Sequence, residues 1–129
     1  MLRIHLIGLS VLAVLAAPAL AHHSYSMYDM QAERSLSGEV ERVEWVNPHI
    51  LIWLRTPDQG DATMAWRIEG HAPVMLSRNG FDRDVLRDGD QIHLTFHPLR
   101  EGNGGSLVSL TLPDRRTFNR FGSLIRRSS

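Results

Sequence analysis

The chain has 129 residues, with 14 basic and 14 acidic side chains, seven histidines and no cysteine. This length suits one small domain, and the balanced charge argues against a nucleic-acid or membrane-surface partner. Without cysteine there is no disulfide and no thiolate that could act as a nucleophile or a metal ligand. A metal site in this chain has to use histidine, methionine, carboxylate or backbone groups.

The first 21 residues have the features of a cleavable signal peptide. A basic residue, Arg3, precedes an apolar run over residues 6–17, and the Ala-Leu-Ala sequence at 19–21 fits the small-x-small cleavage rule. The apolar run is too short to span a bilayer as a helix. We predict cleavage after Ala21, a mature chain that begins at His22 and has no membrane span, and a periplasmic or secreted location.

The mature chain divides into an N-terminal arm (22–34), a β-rich domain (35–113) and an arginine-rich tail (114–129). Within the domain, a short helix is predicted after Pro73, with Gly80 at its end. The alternation of apolar and polar residues in the first strand slips by one position near Arg42, which indicates a β-bulge. Alternating or apolar runs typical of strands occur at residues 36–45, 50–54, 64–68, 92–97 and 108–112.

Five strands with a short helix between the third and the fourth is the strand order of an OB-fold, a small and partly open barrel. We therefore predict an all-β, five-stranded OB-like barrel, with another small β-sandwich or roll as the alternative. The glycine-rich stretch 102–105 is predicted to form a hairpin loop before the fifth strand. His93 and His97 on the fourth strand are predicted to be solvated surface residues, because they alternate with its apolar positions.

The predicted mature terminus offers an unusual set of metal ligands. Cleavage after Ala21 would let His22 present both its α-amino group and its imidazole to one metal ion, and a third nitrogen would complete the T-shaped copper site called a histidine brace. Cleavage one residue earlier would give Ala-His-His, which is a different copper(II) chelate. Copper(II) favours nitrogen ligands in tetragonal geometry, and the thioethers of Met27 and Met30 suit copper(I).

Two further histidines lie where a strand could hold them rigidly. His49 follows the Asn47-Pro48 turn and begins a strand, as a third copper ligand requires; the alternative is an ordinary hydrogen bond to the backbone. His71 shares a strand end with Glu69, and a carboxylate beside an imidazole can orient a metal-bound histidine; the alternative is a simple ion pair. The predicted metal ligands are His22, His23, His49, His71, Met27 and Met30.

The sequence contains no Gly-x-Ser-x-Gly elbow, no His-Glu-x-x-His and no phosphate-binding loop followed by a helix, so no catalytic residue is predicted. The leading prediction is a non-enzymatic exported metal-binding protein, with copper favoured as the metal. One alternative is a metal-free binding module that stacks a small ligand, a glycan or a partner protein on Trp45, Trp53 or Trp66. Another is an accessory subunit of a membrane redox complex, docked through the arginine-rich tail.

Several short motifs along the mature chain resemble a family of small secreted bacterial proteins known only as a domain of unknown function. The resemblance extends from His22 to about Asp114. It implies export and a compact β-rich domain, and it implies no established activity. The residues that carry it are His22-His23-Ser24, Gly38, Val40, Glu44-Trp45, Asn47-Pro48-His49, Trp66, Glu69, Gly89-Asp90, Pro98, Arg100 and Gly102.

Overall fold

The computed structural model describes residues 25–126; the predicted signal peptide and the terminal pair His22 and His23 lie outside the described residues. The described part consists of seven strands and one short helix. In chain order they are β1 (Arg34–Glu44), β2 (Leu51–Pro57), β3 (Thr63–Glu69), α1 (Pro73–Arg78), β4 (Gln91–Pro98), β5 (Gly104–Thr111), β6 (Thr117–Asn119) and β7 (Leu124–Ile125).

The first five strands form a closed barrel. The long strand β1 pairs antiparallel with β2 along its second half and with β4 along its first half. β2 continues to β3 and β4 to β5, and a parallel contact between β3 and β5 closes the barrel. This arrangement confirms the predicted OB-like fold. The β1–β2 register shifts between Val40 and Arg42, where the sequence pattern predicts a bulge.

The barrel interior is filled by aliphatic and aromatic side chains. The helix α1 contributes Leu76, which is fully buried, and Pro73 occupies the first helical turn, where a backbone N–H has no helical partner. The core therefore closes without any disulfide. Its fully buried members include Val40, Ile50, Ile52, Leu54, Ile68, Leu94, Phe96 and Leu110.

Strand β5 differs from its sequence pattern in two ways. Leu107, and not Val108, lies in the core with Leu110, because the β4–β5 register shifts between Thr95 and Phe96. The strand also begins at Gly104, inside the stretch that the sequence analysis assigns to a hairpin loop. A Cβ atom at Gly105 would lie 2.3 Å from a ring carbon of Phe96 and 2.4 Å from the carbonyl oxygen of His97. Glycine is needed there because two strands and a core ring meet closely.

The arginine-rich tail adds two short strands to the barrel. β6 pairs with β5, and β7 pairs with β6. Phe118 of β6 is buried and packs edge-on against Phe81, with ring centroids 5.1 Å apart. This contact fixes the turn that carries Arg120 and Phe121 against the barrel. No helix among residues 25–126 has the length and apolar character needed to cross a membrane.

Candidate functional site

A small pocket lies where the start of β2, the end of β3 and the β6–β7 turn meet. Its lining includes Tyr25, Tyr28, His49, His71 and Arg120. The space within it suits about one water molecule or one small ion. Aromatic, imidazole and guanidinium groups thus converge on a volume that admits only a small ligand.

Backbone hydrogen bonds bring the two histidines of this pocket together. The N–H of Ile50 donates to the carbonyl oxygen of His71 at 3.2 Å, and the N–H of Gly70 donates to the carbonyl oxygen of Ile50 at 2.9 Å. Ile50 itself is fully buried, so these two backbone hydrogen bonds are anchored in the core. The imidazole rings of His49 and His71 consequently lie with their centroids 6.2 Å apart, edge to face.

Glu69 links His49 to the N-terminal arm. One carboxylate oxygen lies 2.5 Å from Nδ1 of His49, and the other accepts a hydrogen bond of 2.6 Å from the hydroxyl of Tyr28. The imidazole partner of Glu69 is therefore His49, whereas the sequence analysis placed Glu69 beside His71. Because Nδ1 is engaged, Nε2 is the nitrogen through which His49 can bind a ligand, and the carboxylate at Nδ1 fixes the orientation of the ring.

The sequence analysis did not predict Tyr25, Tyr28 or Arg120 as residues of this site, and Tyr28 is the most buried of the three. It is 3 % exposed, and a β-bridge to Leu99 fixes its backbone on the barrel. On either side of it, the N–H of Asp29 donates to the carbonyl oxygen of Pro98, and the carbonyl oxygen of Met27 accepts from the N–H of Arg100. The arm therefore lies against the end of β4, and the Tyr28 hydroxyl reaches Glu69.

Burial raises the pKa of Tyr28 well above its ordinary value of about 10, and the hydrogen bond to Glu69 and the charge of that carboxylate raise it further. In a Tyr25→Phe variant, where Tyr28 is the remaining tyrosine, we expect no phenolate absorbance at 295 nm up to about pH 11 in the folded protein. The unfolded chain ionises Tyr28 near pH 10, so this contribution to stability is complete below that pH and is lost as the pH rises further.

The additional substitution Glu69→Gln serves as the control for this titration. It keeps the size of the side chain and removes its charge, so Tyr28 should ionise at a lower pH than in Tyr25→Phe alone. Phenolate formation near pH 10 in the folded Tyr25→Phe protein would contradict the buried hydrogen bond.

His71 has a different environment from His49. Its Nδ1 accepts a hydrogen bond of 2.8 Å from the N–H of Ala72, and its ring lies 5.4 Å from the ring of Phe121. Burial lowers the pKa of His71, and the neighbouring His49 and the positive charge of Arg120 lower it further. The lowered pKa favours the neutral form of the His71 imidazole.

The other predicted ligands do not join this pocket within the described residues. Met27 and Met30 are 45 % and 38 % exposed and are not part of the pocket lining. Among residues 25–126, no three histidine, aspartate or glutamate side chains are grouped so that they could hold a metal ion. His22 and His23 lie outside the described residues.

Two other histidines are removed from the pocket. Nδ1 of His93 lies 2.9 Å from the hydroxyl oxygen of Ser37, and this contact is exposed as predicted. His97 is half-buried rather than fully solvated as predicted, and its Nδ1 donates a hydrogen bond of 2.8 Å to the carbonyl oxygen of Ala32. Both side chains have structural contacts of their own.

The three tryptophans are half-buried, and each makes contacts within the chain. Trp45 stacks on Phe81, with ring centroids 6.3 Å apart. Trp66 packs against Phe96 in the core and donates its indole N–H to the hydroxyl of Thr56. The indole N–H of Trp53 donates to Glu44, and the guanidinium of Arg42 lies 4.3 Å above its ring centroid. These contacts occupy ring surface that a stacked ligand would need.

Comparison with known proteins gives one match. Neither the curated proteins nor the solved structures include a match to this chain. A model of a family of unknown function, DUF6152, matches residues 10–108, which is most of the chain and includes His49, Glu69 and His71. The chain therefore belongs to the DUF6152 family of unknown function.

Proposed function

We propose that this chain is exported, and that its mature form binds a metal ion, copper in preference to zinc, without catalysing a reaction. The ligands would be the α-amino group and imidazole of His22 together with Nε2 of His49. One observation carries this proposal: His49 presents Nε2, with Nδ1 held by Glu69, in a pocket that is also lined by Tyr25. Tyr25 follows the predicted mature terminus by only three residues.

Covalent geometry supports the meeting of these groups. Three residues of extended chain span at most about 11 Å, so His22 stays within that distance of Tyr25 along the backbone. Because Tyr25 lines the pocket with His49, a chain terminus at His22 would be within reach of that pocket. His23 and His71 are the remaining imidazoles near the site, and Met27 and Met30 would assist copper(I) from the arm.

The chemistry of these groups favours copper. The proposed ligand set has three nitrogens and no thiolate, and copper(II) has the highest affinity for nitrogen ligands among the divalent first-row metals. The hydrogen bond from His49 to Glu69 fixes the ring and strengthens it as a ligand. A structural zinc site, by contrast, usually has four protein ligands in a closed tetrahedron.

The test is a copper(II) titration of protein matured by the secretion pathway, with its terminus verified by mass spectrometry. We expect tight one-to-one binding and weaker binding of zinc. A matched chain with three glycines added before His22 has no histidine among its first three residues and so loses both terminal chelates, and its copper(II) affinity should fall about 100-fold or more. Equal affinity of the two proteins, or a mature terminus at a position other than residue 22, would contradict the proposal.

A further inference from the structure

We propose that the same pocket has a second binding site, for a small monovalent oxyanion the size of formate. The anion would accept hydrogen bonds from Nε2–H of His71 and from the guanidinium of Arg120. Both side chains line the pocket. This site uses neither His22 nor His49 as a donor, so it is open to test in the metal-free protein.

The hydrogen bond at Nδ1 determines what His71 can offer. Since Nδ1 accepts the N–H of Ala72, it carries no proton, and the proton of the neutral ring is on Nε2. Within residues 25–126, Nε2 of His71 has no hydrogen-bond partner. His71 is therefore a hydrogen-bond donor toward the pocket, whereas His49, whose Nδ1 contacts Glu69, presents an acceptor nitrogen.

Arg120 supplies an unpaired positive charge beside this donor. Among the described residues, no carboxylate forms a salt bridge with its guanidinium. The guanidinium carbon lies 5.2 Å from the ring centroid of Phe121, and the ring of His71 lies 5.4 Å from the same ring. One aromatic ring thus contacts both donors. A guanidinium and an N–H at one small pocket form charge-assisted hydrogen bonds with a carboxylate-like anion.

The carboxylate of the pocket, Glu69, does not pair with the His71 and Arg120 donors. The only carboxylate in the pocket lining is Glu69, and its two oxygens are engaged by His49 and Tyr28. The space suits about one water molecule or one small ion, which favours a compact anion such as formate over a phosphate ester. The chemical class of the ligand is therefore a small oxyanion with one negative charge.

The probe is sodium formate, titrated into the metal-free mature protein and followed by the 15N and 1H signals of the Arg120 guanidinium and the His71 ring. Formamide, which has nearly the same shape without the charge, is the ligand control at equal ionic strength. We expect saturable shifts with formate and none with formamide. Arg120→Gln should weaken formate binding about tenfold, whereas Arg83→Gln, the same charge change at an exposed residue, should leave it unchanged.

The outcomes separate this inference from the copper proposal. Shifts that do not saturate, that formamide reproduces, or that saturate at the same formate concentration in Arg120→Gln would overturn the anion site even if copper binds. Saturable formate binding in a protein that fails to bind copper would support the anion site and contradict the metal proposal. The variant His71→Phe keeps a ring against Phe121 and removes the donor; undiminished formate binding in it would also overturn the inference.

Discussion

Replacing His49 with asparagine is expected to lower the copper(II) affinity of the mature protein about 100-fold or more. The substitution removes the one imidazole in the described pocket whose Nε2 is presented as a ligand by a carboxylate at Nδ1. Loss of a partner that only supports a ligand already costs about 10- to 100-fold in metal affinity, so loss of the ligand itself should cost more. Competition titration against a chelator of known affinity measures the change.

The matched control for this experiment is His93→Asn. His93 is another histidine whose Nδ1 contacts a side chain, in this case the hydroxyl of Ser37, and it lies on β4, outside the pocket lining. Its replacement should leave the copper(II) affinity unchanged. If the two variants bind copper equally well, His49 is not a ligand, and binding would depend on the terminal residues alone.

Replacing Gly105 with alanine is expected to reduce the free energy of unfolding by about 3 kcal/mol or more. The added methyl group would lie 2.3 Å from a ring carbon of Phe96 and 2.4 Å from the carbonyl oxygen of His97. Neither can retreat easily, because Phe96 is fully buried and the carbonyl belongs to the paired strand β4. Urea or guanidinium denaturation followed by tryptophan fluorescence measures the loss.

Gly60→Ala is the control for the general cost of alanine at a glycine. Gly60 has a positive φ of 66° but open space around its Cβ position, so its replacement should cost only about 1–2 kcal/mol of backbone strain. An effect at Gly105 no larger than that at Gly60 would show that β4 and β5 can separate there without loss of packing.

The barrel could be predicted from the sequence because its strands alternate regularly. Strand β1 shows this well: Val40 is buried, Val43 is packed against the core, and the bulge near Arg42 is visible as a slip in the pattern. The core residues of β5 were harder to predict, because its irregular register with β4 moves Leu107 into the core in place of Val108. The short strand β6 depends on one apolar residue, Phe118, among polar neighbours, and such a segment has no periodicity to detect.

The candidate site was only partly accessible from sequence. The Asn-Pro turn and the strand end indicated His49 and His71, and the structure brings both into one pocket. The contact between Glu69 and His49 depends on the antiparallel pairing of β2 with β3, which brings the end of β3 beside the start of β2. Tyr28 and Arg120 are 92 residues apart along the chain, and no local pattern relates them. Their convergence follows from the docking of the arm on β4 and of the tail on β5.

The β-bridge between Tyr28 and Leu99 affects the stage of folding at which the protein can select a metal ion. Until the barrel closes, the arm is an ordinary peptide, and only the chelate formed by consecutive terminal residues is available. After closure, the arm and His49 share one pocket, and an ion that needs both binds the folded state in preference to the unfolded one. Under the proposed function, the metal composition of the compartment in which folding finishes would therefore decide which ion the protein acquires.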